Sequence, residues 1–194
     1  MSLGRRLGLA LVVGAAMLAA ACGEPPEKEM QQAQGAIDAA RAAGADQYAH
    51  AEFVAAQDAL KRARDAVDQR DYQAALNHAL DSRERAQNAA KEAADHKATA
   101  RGDADRALRD TSVALTEARL KLKAAEGARL PAKTLAEARR TIADGDHALQ
   151  KARAAFGRGD FLAVPGLTAS ASAHLVATAR ALDQAMPGAG RRRR

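Results

Sequence analysis

The sequence predicts an all-α protein, an elongated helical bundle built of coiled-coil-like hairpins, and three observations carry that expectation. Alanine is the commonest residue, and apolar or small residues recur at steps of three and four along nearly the whole chain, which is the period of a helix and not the alternation of a strand. Trp is absent, only two Tyr and three Phe occur, and β-branched residues are few, so strands have little to be built from. Gly, Pro and Asp fall at intervals that divide the periodic stretches. Because alanine buries little apolar area per residue, thin and closely spaced helix pairs are expected instead of a thick core.

The spacing predicts helices at about Glu27 to Ala43, Ala49 to Gln69, Tyr72 to Glu126, Pro131 to Phe156 and Phe161 to Gln184. Gly44 and Gly127 are natural C-terminal stops, and Pro131 suits a first helical turn. Gly157-Arg158-Gly159-Asp160 reads as a turn with an N-cap candidate, Asp160, at its end. Pro165-Gly166 is placed to delay or kink the last helix. Unbroken, the third helix would reach about 80 Å. Its apolar seam runs from Tyr72 and Leu76 through Ala79, Ala86, Ala90, Ala93, Ala100 and Ala104 to Leu108, Thr111, Leu115, Ala118, Leu122 and Ala125. Arg83 and Lys97 interrupt this seam, and Gly102 with Asp103 lies where its halves meet. Left open, such a seam predicts self-association or docking.

Two stretches look alike. Tyr48-Ala49 and Phe53 correspond to Leu130-Pro131 and Leu135 at an offset of 82, while Ala59-Leu60, Ala63-Arg64 and Asp71-Tyr72 correspond to Ala148-Leu149, Ala152-Arg153 and Asp160-Phe161 at 89. The offsets differ by one heptad, and a seven-residue insertion lengthens a helix by two turns while keeping its buried face. The expectation is two related three-helix units, 27–100 and 103–187, sharing the long helix, against the alternative that alanine-rich helices align with themselves by chance.

Residues 1–21 have a basic start with Arg5 and Arg6, an apolar run from Leu7 to Leu18, and Ala19-Ala20-Ala21 before the single cysteine, Cys22. That is the layout of a secretory signal. A helix from Leu7 to Ala21 covers about 22 Å, short of the roughly 30 Å of a bilayer core. The small residues running into Cys22, with Gly23, Glu24, Pro25 and Pro26 after it, resemble a bacterial lipobox. Ala19 stands where that family usually has Leu. The resemblance implies acylation of Cys22, cleavage before it and, with Gly23 rather than Asp next, sorting to the outer membrane facing the periplasm. The competing reading is an ordinary export signal with a chance cysteine. A lone exported thiol would be reactive and without a disulfide partner, and acylation removes that difficulty.

The chain has 30 Lys and Arg against 24 Asp and Glu, with an isoelectric point near 9.8. Removing Arg5, Arg6 and the basic tail Arg191 to Arg194 leaves 24 against 24, so the body is neutral and nucleic-acid binding is not expected. The tail, within 188–194, follows Gly188 and Gly190 and reads either as solvated or as a contact for anionic headgroups and acidic partners.

Residues Gln34 to about Ala94 carry Tyr48-Ala49-x-x-Glu52-Phe53, then Ala56, Leu60 and Ala63, then Asp71-Tyr72-x-x-Ala75. In these features the stretch resembles the bacterial domain of unknown function 4398, with His50 where that family has Pro. The resemblance implies an envelope lipoprotein with a helical hairpin domain, sometimes found beside peptidoglycan-binding modules, and no known activity. Asp71-Tyr72-Gln73-Ala74-Ala75-Leu76 is also similar to the turn of a tetratricopeptide hairpin, without the spacing of the full repeat.

Signs of chemistry are few. His50, His78, His96, His147 and His174 have no metal-ligand spacing, and no second cysteine stands by them. Acidic residues alternate with Lys and Arg at helical spacing, the pattern of a solvated face. No phosphate loop, nucleophile elbow or zinc helix motif is present. Neither an enzyme nor a cofactor is expected. Two readings of function remain. One is an acyl-anchored envelope scaffold or interaction module, whose partners are the membrane through its anchor and envelope proteins, peptidoglycan or copies of itself. The other is a periplasmic binding module that holds a peptide, glycan or lipid near Tyr48, Phe53, Tyr72, Phe156 and Phe161, the aromatics at helix starts and corners, for which core packing is the favoured reading.

Overall fold

A computed structural model describes residues 24–186, and every regular element among them is an α-helix. In chain order these are α1 (Glu27–Ala43), α2 (Ala45–Tyr48), α3 (His50–Asp68), α4 (Tyr72–Gly127), α5 (Ala132–Gly157) and α6 (Ala163–Ala185). The signal, Cys22 and the arginine tail lie outside the described residues. The chain divides into two compact units between His96 and Lys97, inside α4.

In unit 1, α1 and α4 both run antiparallel to α3. Arg64 donates to Gln34 and the Arg41 guanidinium lies over Phe53, while Arg83 of α4 donates to Gln32. Each helix turns a stripe of small residues inward at steps of three and four: Ala33, Ile37 and Ala40 from α1, Phe53, Ala56, Leu60 and Ala63 from α3, and Ala75, Ala79, Ala86, Ala89 and Ala93 from α4. The missing step in α4 is Ser82, fully buried, whose hydroxyl donates to the Ala56 carbonyl at 2.8 Å. The seam is therefore not interrupted at Arg83, as the sequence suggested. It passes one residue earlier, through a hydroxyl small enough for the stripe and satisfied across the helix pair.

The one-turn helix α2 carries no sequence period, since four residues are too few to repeat one. Gly44, at φ 90°, closes α1 by donating to Ala40 and Arg41. The chain then makes one turn and bends again at Ala49 (φ −142°, ψ 44°), which buries Tyr48 and Ala49.

In unit 2, Ala114, Leu115 and Ala118 of α4 pack with Ile142 and Leu149 of α5 and Leu175 and Ala179 of α6. One end of this core is closed by Ala104, Ala152, Ala155 and Val164 with Phe156 and Phe161 against them. Ala125, Ala138 and Leu182 close the other, with Leu122, Leu130 and Leu135 beside them. Most of the predicted seam is thus covered inside the chain within each unit, while Ala100 is half-buried.

The turns correct three further expectations. Gly127 is the last helical residue of α4, and the left-handed position falls instead on Arg129, at φ 58°. Pro131 is the N-cap of α5, one place before its first turn. Asp160 does not cap α6, which begins after Leu162 with Pro165 in its first turn, where a missing N–H costs nothing. The α3–α4 and α5–α6 turns share one hydrogen-bond pattern at the offset of 89: Asp71 donates to Ala66 as Asp160 does to Ala155, and Arg70 to Val67 as Gly159 to Phe156. Arg70 (φ 60°) and Gly159 (φ 82°) occupy the same left-handed place.

Glycine is required by space at one helical site. A Cβ on the buried Gly145 would come within 2.8 Å of the fully buried Leu175 side chain, which would have to shift within the core. Gly102, in contrast, is exposed and meets nothing within 4 Å. Gly145→Ala is expected to lower stability by about 1–3 kcal/mol through overpacking. Gly102→Ala is expected to raise it by up to about 1 kcal/mol, and urea unfolding followed by circular dichroism reads both signs.

Candidate interaction surfaces

The buried polar side chains among the described residues are Ser82, Thr111 and Thr168, and each hydroxyl donates to a backbone carbonyl. No group of three or more His, Cys, Asp and Glu among the described residues could hold a metal ion. His50, His96, His147 and His174 are exposed and His78 is half-buried. His96 holds the corner of unit 1, with Nδ1 2.6 Å from the Tyr48 carbonyl and the Glu92 carboxylate 3.8 Å away.

Charged side chains meet at the surface. In unit 1, Asp81 joins Arg62 and Arg85, and Arg85 also reaches Glu52 across the α3–α4 pair. The Asp81 charge first, then its hydrogen bond and the Glu52 charge, hold the Arg85 guanidinium above its ordinary pKa. In unit 2, Arg119 pairs with Asp146, Lys121 with Asp183 and Arg139 with Glu126, each joining two helices. All are exposed enough for water to screen them, so they orient helices more than they stabilise them.

The predicted aromatic positions do not assemble into one site. Tyr48 and Phe53 are buried in unit 1, and Tyr72 is half-buried at the opposite end of the same unit. Tyr48 sits beside His96, which lies about 36 Å along α4 from Tyr72 at 1.5 Å per residue. In unit 2, Phe156 and Phe161 meet edge to face with centroids 5.1 Å apart and pack on the core. Within each unit, therefore, the rings pack at helix ends.

Two surface features were not anticipated. Val113 and Leu120, 66% and 65% exposed, stand one heptad apart on the outer side of α4, where an apolar residue has no packing role. An open depression of about 520 Å³ lies between α5 and α6, lined by Asp144, His147, Ala148, Lys151, Gly166 and Leu167. The sequence signal for the first was a pair of large aliphatics seven apart, off the seam. The second had none, because it depends on how two helices pack. No helix among the described residues is long and apolar enough to cross a membrane.

With this arrangement in view, the chain can be placed. Residues 28–105 match the model of the family described as Domain of unknown function (DUF4398), and that part of the chain belongs to it. The match takes in α1 to α3 and the part of α4 that completes unit 1. No curated protein and no solved structure matches the chain.

If the aromatic corners pack rather than bind, Phe161→Ala should cost unit 2 about 2 kcal/mol, since the ring is half-buried and paired. Urea unfolding checks this, and an unchanged midpoint would mean that the Phe156–Phe161 pair is free to serve a ligand.

Proposed function

We propose that the chain is a non-enzymatic outer-membrane lipoprotein, acylated at Cys22 and facing the periplasm, that acts as an envelope scaffold or interaction module. The observation that carries this reading is the run from Leu7 to Leu18 followed by Ala19-Ala20-Ala21-Cys22, whose length suits an export signal. The start of α1 at Glu27 supports it, since five residues past Cys22 span at most about 18 Å. Unit 1 would stand immediately at the anchor.

A scaffold role is supported by what fills the units. Their interiors are alanine and a few large aliphatics, their buried hydroxyls are satisfied by backbone, and their charges pair at the surface. A catalytic reading would need titrating groups held together out of water. With most of the seam covered, contacts to envelope proteins, peptidoglycan or a further copy would fall on outer faces, such as the strip of Val113 and Leu120. Origin of the two units by duplication is supported by the matched turns at the offset of 89 and by Phe53 and Leu135, which donate to Ala49 and Pro131 at the offset of 82.

Intact mass and membrane fractionation in a Gram-negative host test the reading. A mature protein that begins at Cys22, carries acyl chains and sediments with the outer membrane is expected, and Cys22→Ser should abolish all three. An unmodified soluble product from the parent chain would overturn it.

A further inference from the structure

The neutral body is divided unevenly between the units. Residues 24–96 hold 9 Lys and Arg against 14 Asp and Glu, net −5, and residues 97–186 hold 15 against 10, net +5. Within unit 2 most of the excess gathers at one end. The C-terminus of α4, the N-terminus of α5 and the C-terminus of α6 converge there on Ala125, Ala138 and Leu182. Residues 121–140 and 180–186 carry 7 basic against 3 acidic side chains, net +4. Of the acids, Glu126 and Asp183 are taken by Arg139 and Lys121. Lys123, Arg129, Lys133, Arg140 and Arg180 are all exposed, and none takes part in the ion pairs of unit 2.

We infer that this end of unit 2 is a docking surface for an anionic phospholipid membrane. The five cations come from three helices and the α4–α5 turn. Arg140, the farthest from the end of its helix, lies about 12 Å from the start of α5, comparable with the distance over which charges act through physiological salt. Cations spread round a helical end suit an extended anionic surface better than a single phosphate held in a pocket, and the depression between α5 and α6 takes in none of the five. Single-stranded nucleic acid fits worse, because base stacking needs aromatic rings and none of the five aromatics lies in this end. Four more arginines, Arg191 to Arg194, follow in the sequence. The inference rests on the lipoprotein reading for its membrane setting, while the binding itself needs no acyl chain.

The test uses the chain from residue 22 onward with Cys22→Ser, which contains every described residue, in co-sedimentation with phosphatidylglycerol–phosphatidylcholine vesicles and with pure phosphatidylcholine vesicles. Binding to the first alone, weakened by added salt, is expected. Replacing Arg129, Lys133 and Arg140 by Gln should weaken it on the order of a hundredfold, at about fivefold per cation, with the helical circular dichroism unchanged. Lys123→Gln with Arg180→Gln should weaken it by about 25-fold. Equal binding to both vesicles, or full binding by both sets of variants, would overturn the inference, the latter by assigning contact to the tail alone. Salt-sensitive pairing of the protein with itself, lost in the same variants while vesicle binding is absent, would assign the surface to a second copy and also overturn it. Acylation at Cys22 is read separately by mass, so either idea can fail without the other.

Discussion

Two helices can approach only as closely as the side chains between them allow, and most of those side chains in unit 1, and about half in unit 2, are methyl groups. Ala33 and Ala40 on α1, Ala56 and Ala63 on α3, and the alanines of α4 from Ala75 to Ala93 bring three backbones together over several turns. Close approach supplies dispersion contact but little buried area, since each alanine removes little apolar surface from water. Ile37, Phe53 and Leu60 supply area in unit 1, and Leu115, Leu149, Leu175 and Leu182 in unit 2. Gly145 is the limit of the same logic, a helix position where even a methyl group would strike Leu175.

That spacing also governs where polar groups can go. A hydroxyl fits the alanine stripe, and Ser82 reaches the Ala56 carbonyl on the facing helix because the two backbones are near. Longer polar side chains cannot enter, so Arg85, Asp81 and Glu52 meet on the surface and unit 2 repeats the arrangement with Arg119 and Asp146. Between Ala93 and Ala104 no side chain of α4 is buried. Among the described residues the interiors therefore hold no ionisable cluster, and the features that face outward, apolar or charged, are what a partner would meet.

Charge acts over a longer range than packing. The sum of the body is zero and by itself demands no basic face, yet the acidic residues lie mostly in unit 1 and the basic ones in unit 2. A sum over a chain is blind to such a partition, because the field outside a protein depends on where charges lie and not only on their total.

The period of three and four, the glycine after α1 and the scarcity of strand formers were enough to determine an all-α chain and the order and approximate limits of its five long helices. They were enough because helix period and caps are local, set by residues within a turn of each other. The one-turn helix α2, the burial of Ser82 in place of Arg83, the left-handed Arg129 beyond a helical Gly127, and the gathering of cations from three helices at one end were decided only by the tertiary structure. Each depends on which backbone faces which across a helix pair, and residues far apart in sequence acquire that relation only when the units pack.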